Sequence, residues 1–147
     1  MSDAYNLPRF LAAHAPTYAS VLAELRAGRK SSHWIWFIFP QIAGLGHSAM
    51  AQQFAITSLD EAKTYLQHPV LGQRLRECTQ LVLDVNGRSA GEIFGYPDDL
   101  KFRSCMTLFL TAAPDNALFK NALLKYFDGQ PDQMTLDILA HRHSQRP

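Results

Sequence analysis

The chain is predicted to fold as a mainly α-helical, single compact multi-helix domain with a buried aromatic central helix. Three observations lead there. Apolar residues recur at three-and-four spacing along most of the chain, proline and glycine fall at the ends of these stretches, and no two alternating segments are joined by a tight turn. At 147 residues without repeats or low-complexity segments, one domain spanning 1–147 is expected, with a short polar tail from about residue 142.

The elements follow in order. "LPRFLAAH" reads as a short helix broken from the next at Pro16. In "APTYASVLAELRAGRK", Tyr18, Val21, Leu22 and Leu25 share a face, Pro16 suits a first turn and Gly28 a stop. "SLDEAKTYLQHP" carries Ser58 and Glu61 in a capping-box pattern, an Ala62, Tyr65 and Leu66 stripe, and a terminating Pro69. "PVLGQRLRECTQLVLDV" places Leu71, Leu75, Cys78 and Val82 on one face, before an Asn86-Gly87 turn. "YPDDLKFRSCMTLFLTAAP" opens with proline and two aspartates, which favour a helix N-terminus, and turns Leu100, Met106 and Leu110 inward. "DNALFKNALLKYFDG" runs from Asp115 to Gly129 with Leu118, Phe119, Ala122, Leu123 and Phe127 inward, and "DQMTLDILAH" forms a last short helix.

"KSSHWIWFIFPQ" fits least easily. Four aromatic rings and two isoleucines run unbroken from Trp34 to Phe39. Their propensity favours a strand, but a strand needs partners that the remaining sequence does not offer. A buried helix capped by Ser31 or Ser32 is therefore expected.

Composition excludes several functions. A formal net charge of +1, with no run of like charge, gives no electrostatic footprint for nucleic acid or an anionic membrane. The longest apolar run falls far short of a bilayer span, and the N-terminus has no basic-then-apolar pattern. The two cysteines, Cys78 and Cys105, lack zinc spacing and suit buried, reduced thiols. A cytoplasmic protein is expected. No HExxH, acidic pair at ligand spacing or cysteine cluster accompanies the histidines, so neither a metal nor a cofactor is expected.

Three stretches carry candidate chemistry. Lys30, His33, Trp34 and Gln41 surround the aromatic run; a lysine and a histidine beside an indole suit an anionic, flat-ringed ligand. A solvated helix end and a core-edge histidine account for the same residues. In "GLGHSAM", Gly44, Gly46 and Ser48 would let backbone N–H groups approach a phosphate, or simply provide a loop with positive φ. In "PDDLKFRS", Asp98 or Asp99 with Lys101, Arg103 and Ser104 would pair a carboxylate with cationic anchors, or cap a helix. Glu92, in "GEIFG", is a further carboxylate. Asp99, Glu92 and His33 are thus the catalytic candidates. Lys30, Trp34, Gln41, Gly44, Gly46, Ser48, Lys101, Arg103 and Ser104 are the ligand-binding ones.

The strings "GRKSSHWIWFIFPQIAGLGHSAMAQQFAI", "YLQHPVLGQRLREC" and "IFGYPDDLKFRSCMTLF" resemble the family known as domain of unknown function 1810 over nearly the whole chain. The resemblance implies a compact helical domain and brings no established activity. His14 stands where such sequences usually carry glutamine, and Cys105 where serine is common. The pattern "DLKFRSCMTLFLTA…FKNALLKYFDGQPDQMTLDIL" is also similar to the NADAR family of helical N-glycosidases, although Met106 falls five residues after Lys101 rather than four. That likeness implies cleavage of a base–ribose bond.

The function expected on these grounds is that of an enzyme binding a nucleotide-like or ribosyl small molecule, with N-glycosidic hydrolysis as the candidate reaction. Lys30, Lys101 and Arg103 would hold an anion, Trp34 would stack, and Asp99 or Glu92 would activate water. The alternative is a non-catalytic helical protein-interaction module. Either would be a monomer or homodimer.

Overall fold

A computed structural model describes residues 5–144. Among them the chain forms ten α-helices and no strand: α1 (Pro8–His14), α2 (Tyr18–Arg26), α3 (Ile35–Ile38), α4 (Ala49–Gln53), α5 (Leu59–Gln67), α6 (Leu71–Asp84), α7 (Ala90–Phe94), α8 (Asp98–Ala112), α9 (Ala117–Phe127) and α10 (Gln133–Ser144). No helix among the described residues is long and apolar enough to cross a membrane.

The local signals explain most boundaries. Ser58 caps α5 by accepting from the Glu61 N–H at 3.0 Å. The Glu61 carboxylate does not return to Ser58; it takes Thr57 N–H and Oγ1, and pairs with Arg9 at 3.2 Å. A reciprocal capping box forms instead at α7, between Ser89 and Glu92. At the corner between α5 and α6, Gly72 is sterically required: a Cβ there would lie 2.0 Å from the Leu66 carbonyl oxygen.

The central helix is α8, not the aromatic segment. It packs against α3, α5, α7, α9 and α10. Phe102 and the whole run from Ser104 to Phe109 are buried, as expected for a helix enclosed on nearly all sides. Leu100, expected inward, is 43% exposed because it sits at the open N-terminal end of α8. Around Phe102, Phe39 packs edge-on at 4.9 Å and Phe94 stacks at 4.7 Å; such pairs contribute about 1 kcal/mol each beyond burial.

The aromatic run is core, yet only one turn of it is helical. Trp34 is non-helical (φ −137°), α3 covers Ile35–Ile38, and Phe39 leaves the helix at ψ 74°. Pro40 explains the exit, since its ring disfavours helical backbone in the preceding residue. The chain then runs extended, and Ile42 forms an isolated parallel bridge with Ile56. Gln41 C=O accepts from Ile56 N–H, and Ile56 C=O from Ala43 N–H, both at 2.8 Å. This long-range pairing gives the β-prone residues their partner. Ser31 and Ser32 do not cap α3; their N–H groups bind Glu24 instead.

Cys78 and Cys105 are free and buried. Burial pushes the Cys78 thiol up to about 12 and holds Cys105 well above its ordinary value. His14, the last residue of α1, is buried against Tyr18 of α2, Phe37 of α3 and Arg74 of α6. One ring nitrogen, Nε2, meets the Phe37 carbonyl at 2.6 Å and the other, Nδ1, meets Arg74 at 3.2 Å. With the proton on Nε2 both contacts are hydrogen bonds of the neutral ring. Desolvation is the main cause holding its pKa below the ordinary histidine value.

Candidate functional site

Lys30 lies between α2 and α3, where Gly28, at φ +72°, turns the chain. Its N–H donates to the Ile93 carbonyl at 2.7 Å, anchoring this segment to α7. Its side chain is only 6% exposed, so it is not a solvated helix end. Lys30 Nζ reaches Asp98 Oδ2 at 2.7 Å and lies 5.2 Å from the Trp34 ring centroid. Asp98, in the first turn of α8, also pairs through Oδ1 with Lys101 at 3.2 Å, one turn along. One carboxylate therefore serves two ammonium groups, leaving the cluster with one uncompensated positive charge.

The two tryptophans divide the work that sequence reasoning gave to one. Trp34 is fully enclosed and offers no ring face to solvent. Its indole N–H donates to Glu24 Oε1 at 2.9 Å. Glu24 further accepts from Ser31 N–H, Ser32 N–H and the Ser32 hydroxyl. Partial burial works against its charged form, but these donors prevail and hold its pKa at about 2. Glu24 thus fixes the loop that carries Lys30. Trp36, two residues on, points the other way: it is half-buried, lies 5.1 Å below the Lys101 ammonium, and walls a surface recess of about 130 Å³. Gln41, Ala43, Gly44, Gly46 and Gln52 line the same recess.

Of the expected site residues, Gln41, Gly44 and Gly46 line the recess, Lys101 lies over its Trp36 wall, and Lys30 is linked to Lys101 only through Asp98. The glycines are shaped by backbone demands: Gly44 has φ +109°, and a Cβ on Gly46 would approach Ala51 Cβ to 2.7 Å. Ser48 is committed elsewhere, capping α4 by accepting from Ala51 N–H at 3.1 Å. Glu92 is likewise engaged, its Oε1 accepting from Ser89 N–H at 2.8 Å. Those hydrogen bonds lower its pKa. Asp99 enters no ion pair among the described residues, and its Oδ2 faces Gly91. His33 is exposed. Arg103 and Ser104 lie on another side of α8, where they hold the approach to α10. Arg103 Nε donates to the Gln130 carbonyl at 2.9 Å and Ser104 Oγ to Asp132 Oδ2 at 3.0 Å.

Two participants, Glu24 and Trp36, are not marked by the sequence, and of the two aspartates offered beside Lys101 it is Asp98 that pairs with it. Lys101 at Asp98's i+3 position was a readable signal for Asp98. Trp36 could have been separated from Trp34 only by knowing where the helical turn begins. Among the described residues no group of three or more His, Cys, Asp or Glu side chains is arranged to hold a metal ion.

Comparison with known proteins defines the class. Residues 4–139 match the family described as "Protein of unknown function (DUF1810)", and the chain belongs to that family. Its fold is similar to the crystal structure of the conserved hypothetical protein Rv1873 from Mycobacterium tuberculosis. The two share 55% identity, covering 92% of this chain and 97% of that one, with a TM-score of 0.91. Among curated proteins none matches it.

Proposed function

We propose that the Trp36 recess and the Lys30–Asp98–Lys101 cluster bind an anionic, nucleotide-like or ribosyl small molecule, and that the reaction served is hydrolysis of its N-glycosidic bond. The observation that carries this reading is the sharing of Asp98 between two lysines, one of which, Lys101, lies over the accessible indole that walls the recess. The excess positive charge attracts an anion. The half-buried Trp36 supplies the stacking face that Trp34 lacks. A recess of about 130 Å³ is close to the roughly 150 Å³ that encloses a benzene ring. It therefore takes one ring or one pentose, and the remainder of the ligand lies across Trp36 and Lys101.

Asp98, rather than Asp99 or Glu92, is the carboxylate suited to an oxocarbenium-like ribose, because it pairs with Lys101, which lies over the Trp36 wall of the recess, while the other two are engaged elsewhere. Gln41 and Gln52, on the recess wall, offer amide hydrogen bonds to a leaving base or sugar hydroxyl. The similarity of the second half of the chain to NADAR N-glycosidases supports the choice of reaction. The protein-interaction reading retains one supporting observation, the exposed Tyr96 and Leu100 at the start of α8.

Incubation with NAD, ADP-ribose and ribosylated pyrimidines, followed by chromatography and thermal denaturation, tests the proposal. Released base and a raised Tm are expected, both reduced by Trp36→Ala and Lys101→Ala. Stabilisation without base release would remove the hydrolytic half. Neither effect with any of these compounds would sink the whole reading.

A further inference from the structure

A second, larger depression shares no lining residue with the Trp36 recess, although Arg142 on its rim reaches the recess residue Ala43. α10 packs on α8, and a groove of about 480 Å³ opens between α5, α10 and the end of α8. This size falls in the ordinary range for small-molecule sites. Its floor is built by helical spacing. Leu136, Leu139 and Ala140 share one face of α10, while Leu59 and Lys63 lie one turn apart on α5.

The rim has its own charge pattern: Lys63 and Arg142 against Asp60, one positive charge in excess. The cations differ in availability. Arg142 is held in place, donating to the Thr57 carbonyl at 3.0 Å and the Ala43 carbonyl at 2.6 Å. It contributes field rather than a free fork. Lys63 is exposed and enters no salt bridge among the described residues. A flexible ammonium above an apolar trough suits a ligand with one apolar tail and one anionic head.

We propose that this groove is a second ligand site, for a small amphipathic carboxylate whose tail lies along Leu59, Leu136 and Leu139 and whose carboxylate meets Lys63. It goes beyond the reading of the Trp36 recess and does not depend on it.

Octanoate is the probe, titrated calorimetrically into the full chain. Saturable binding is expected, about tenfold weaker for hexanoate, because each methylene buried changes affinity roughly three- to fourfold. Lys63→Glu should weaken octanoate at least about threefold, the size of one partly exposed ion pair. Ala140→Trp should fill the trough and abolish binding, and Trp36→Ala should leave it unchanged. The two groove variants alter exposed side chains, and circular dichroism verifies their fold. No binding at millimolar octanoate would overturn the proposal. So would octanol binding as tightly as octanoate, Lys63→Glu binding as well as the parent, or loss of binding in Trp36→Ala.

Discussion

Asp98→Asn removes the negative charge shared by Lys30 and Lys101 while keeping side-chain size. Two limits bracket its cost. Removing one partner of a fully buried ion pair typically costs about 3–5 kcal/mol, because a charge is left unpaired in a poor solvent. An exposed pair is worth about 0–1 kcal/mol. Lys30 lies near the first limit, with 6% of its side chain exposed, and Asp98, at 19%, somewhat nearer the second. The amide oxygen still accepts one hydrogen bond, and the Trp34 ring still faces the Lys30 ammonium. We therefore expect a loss of about 2 kcal/mol. Lys101→Met should cost no more than about 0.5 kcal/mol, because Lys101 is 28% exposed and holds the longer contact. In urea, with a slope of about 2 kcal/mol/M, Asp98→Asn lowers the midpoint by roughly 1 M. The double variant Lys30→Met/Asp98→Leu should recover most of the loss, since no buried charge remains unpaired. Asp98→Asn within 0.5 kcal/mol of the parent, or a double variant worse than the single one, would refute the burial argument.

Other consequences can be checked by similar means. His14 has a folded pKa below its unfolded value of about 6.5, so the stability it contributes is present above that pH and is lost as pH falls below it. His14→Gln, whose amide can serve both the Phe37 carbonyl and Arg74, should flatten the loss of stability as pH falls below about 6.5; an unchanged slope contradicts the assignment. Glu24 works on a more acidic window, its contribution lost as pH drops from about 4.5 toward 2. Glu24→Gln should remove that part of the acid-unfolding profile and loosen the Lys30 loop, seen as faster amide exchange at Ser31 and Ser32. Gly72→Ala should cost about 3 kcal/mol or more, since the added methyl meets backbone rather than a movable side chain. A normal urea midpoint for it would place the corner between α5 and α6 incorrectly.

Legibility in the sequence tracked locality. On α6 the periodic apolar positions Leu71, Leu75, Cys78 and Val82 are all buried, because a helix on one face of a core is specified by its own spacing. The Ser58 cap and the Gly28 stop were readable for the same reason. The aromatic run was not, because its conformation depends on a bridge between Ile42 and Ile56 and on the exit that Pro40 imposes. The candidate site divides likewise. Lys30 was identifiable as a cation beside an indole and Lys101 as a cation beside a carboxylate, but nothing local announces that Asp98 closes on Lys30 from the far half of the chain. Glu24 lies in a periodic helix off the face of Tyr18, Val21, Leu22 and Leu25, and nothing in that spacing marks it. Ser48, Glu92 and Ser104 had the right chemistry for a site, yet each is committed to a helix terminus.

Calorimetric titration of ADP-ribose into the parent protein and into Trp36→Ala and Lys101→Ala decides whether the Trp36 recess and Lys101 bind an anionic, ring-bearing ligand. Both substitutions alter partly exposed side chains, so the fold should remain intact and each change in affinity reports on the site. Saturable binding at one site is expected, weakened about tenfold or more by Trp36→Ala and severalfold by Lys101→Ala, with the latter effect shrinking in high salt. Absence of binding, or binding that both variants retain unchanged, would contradict the proposal.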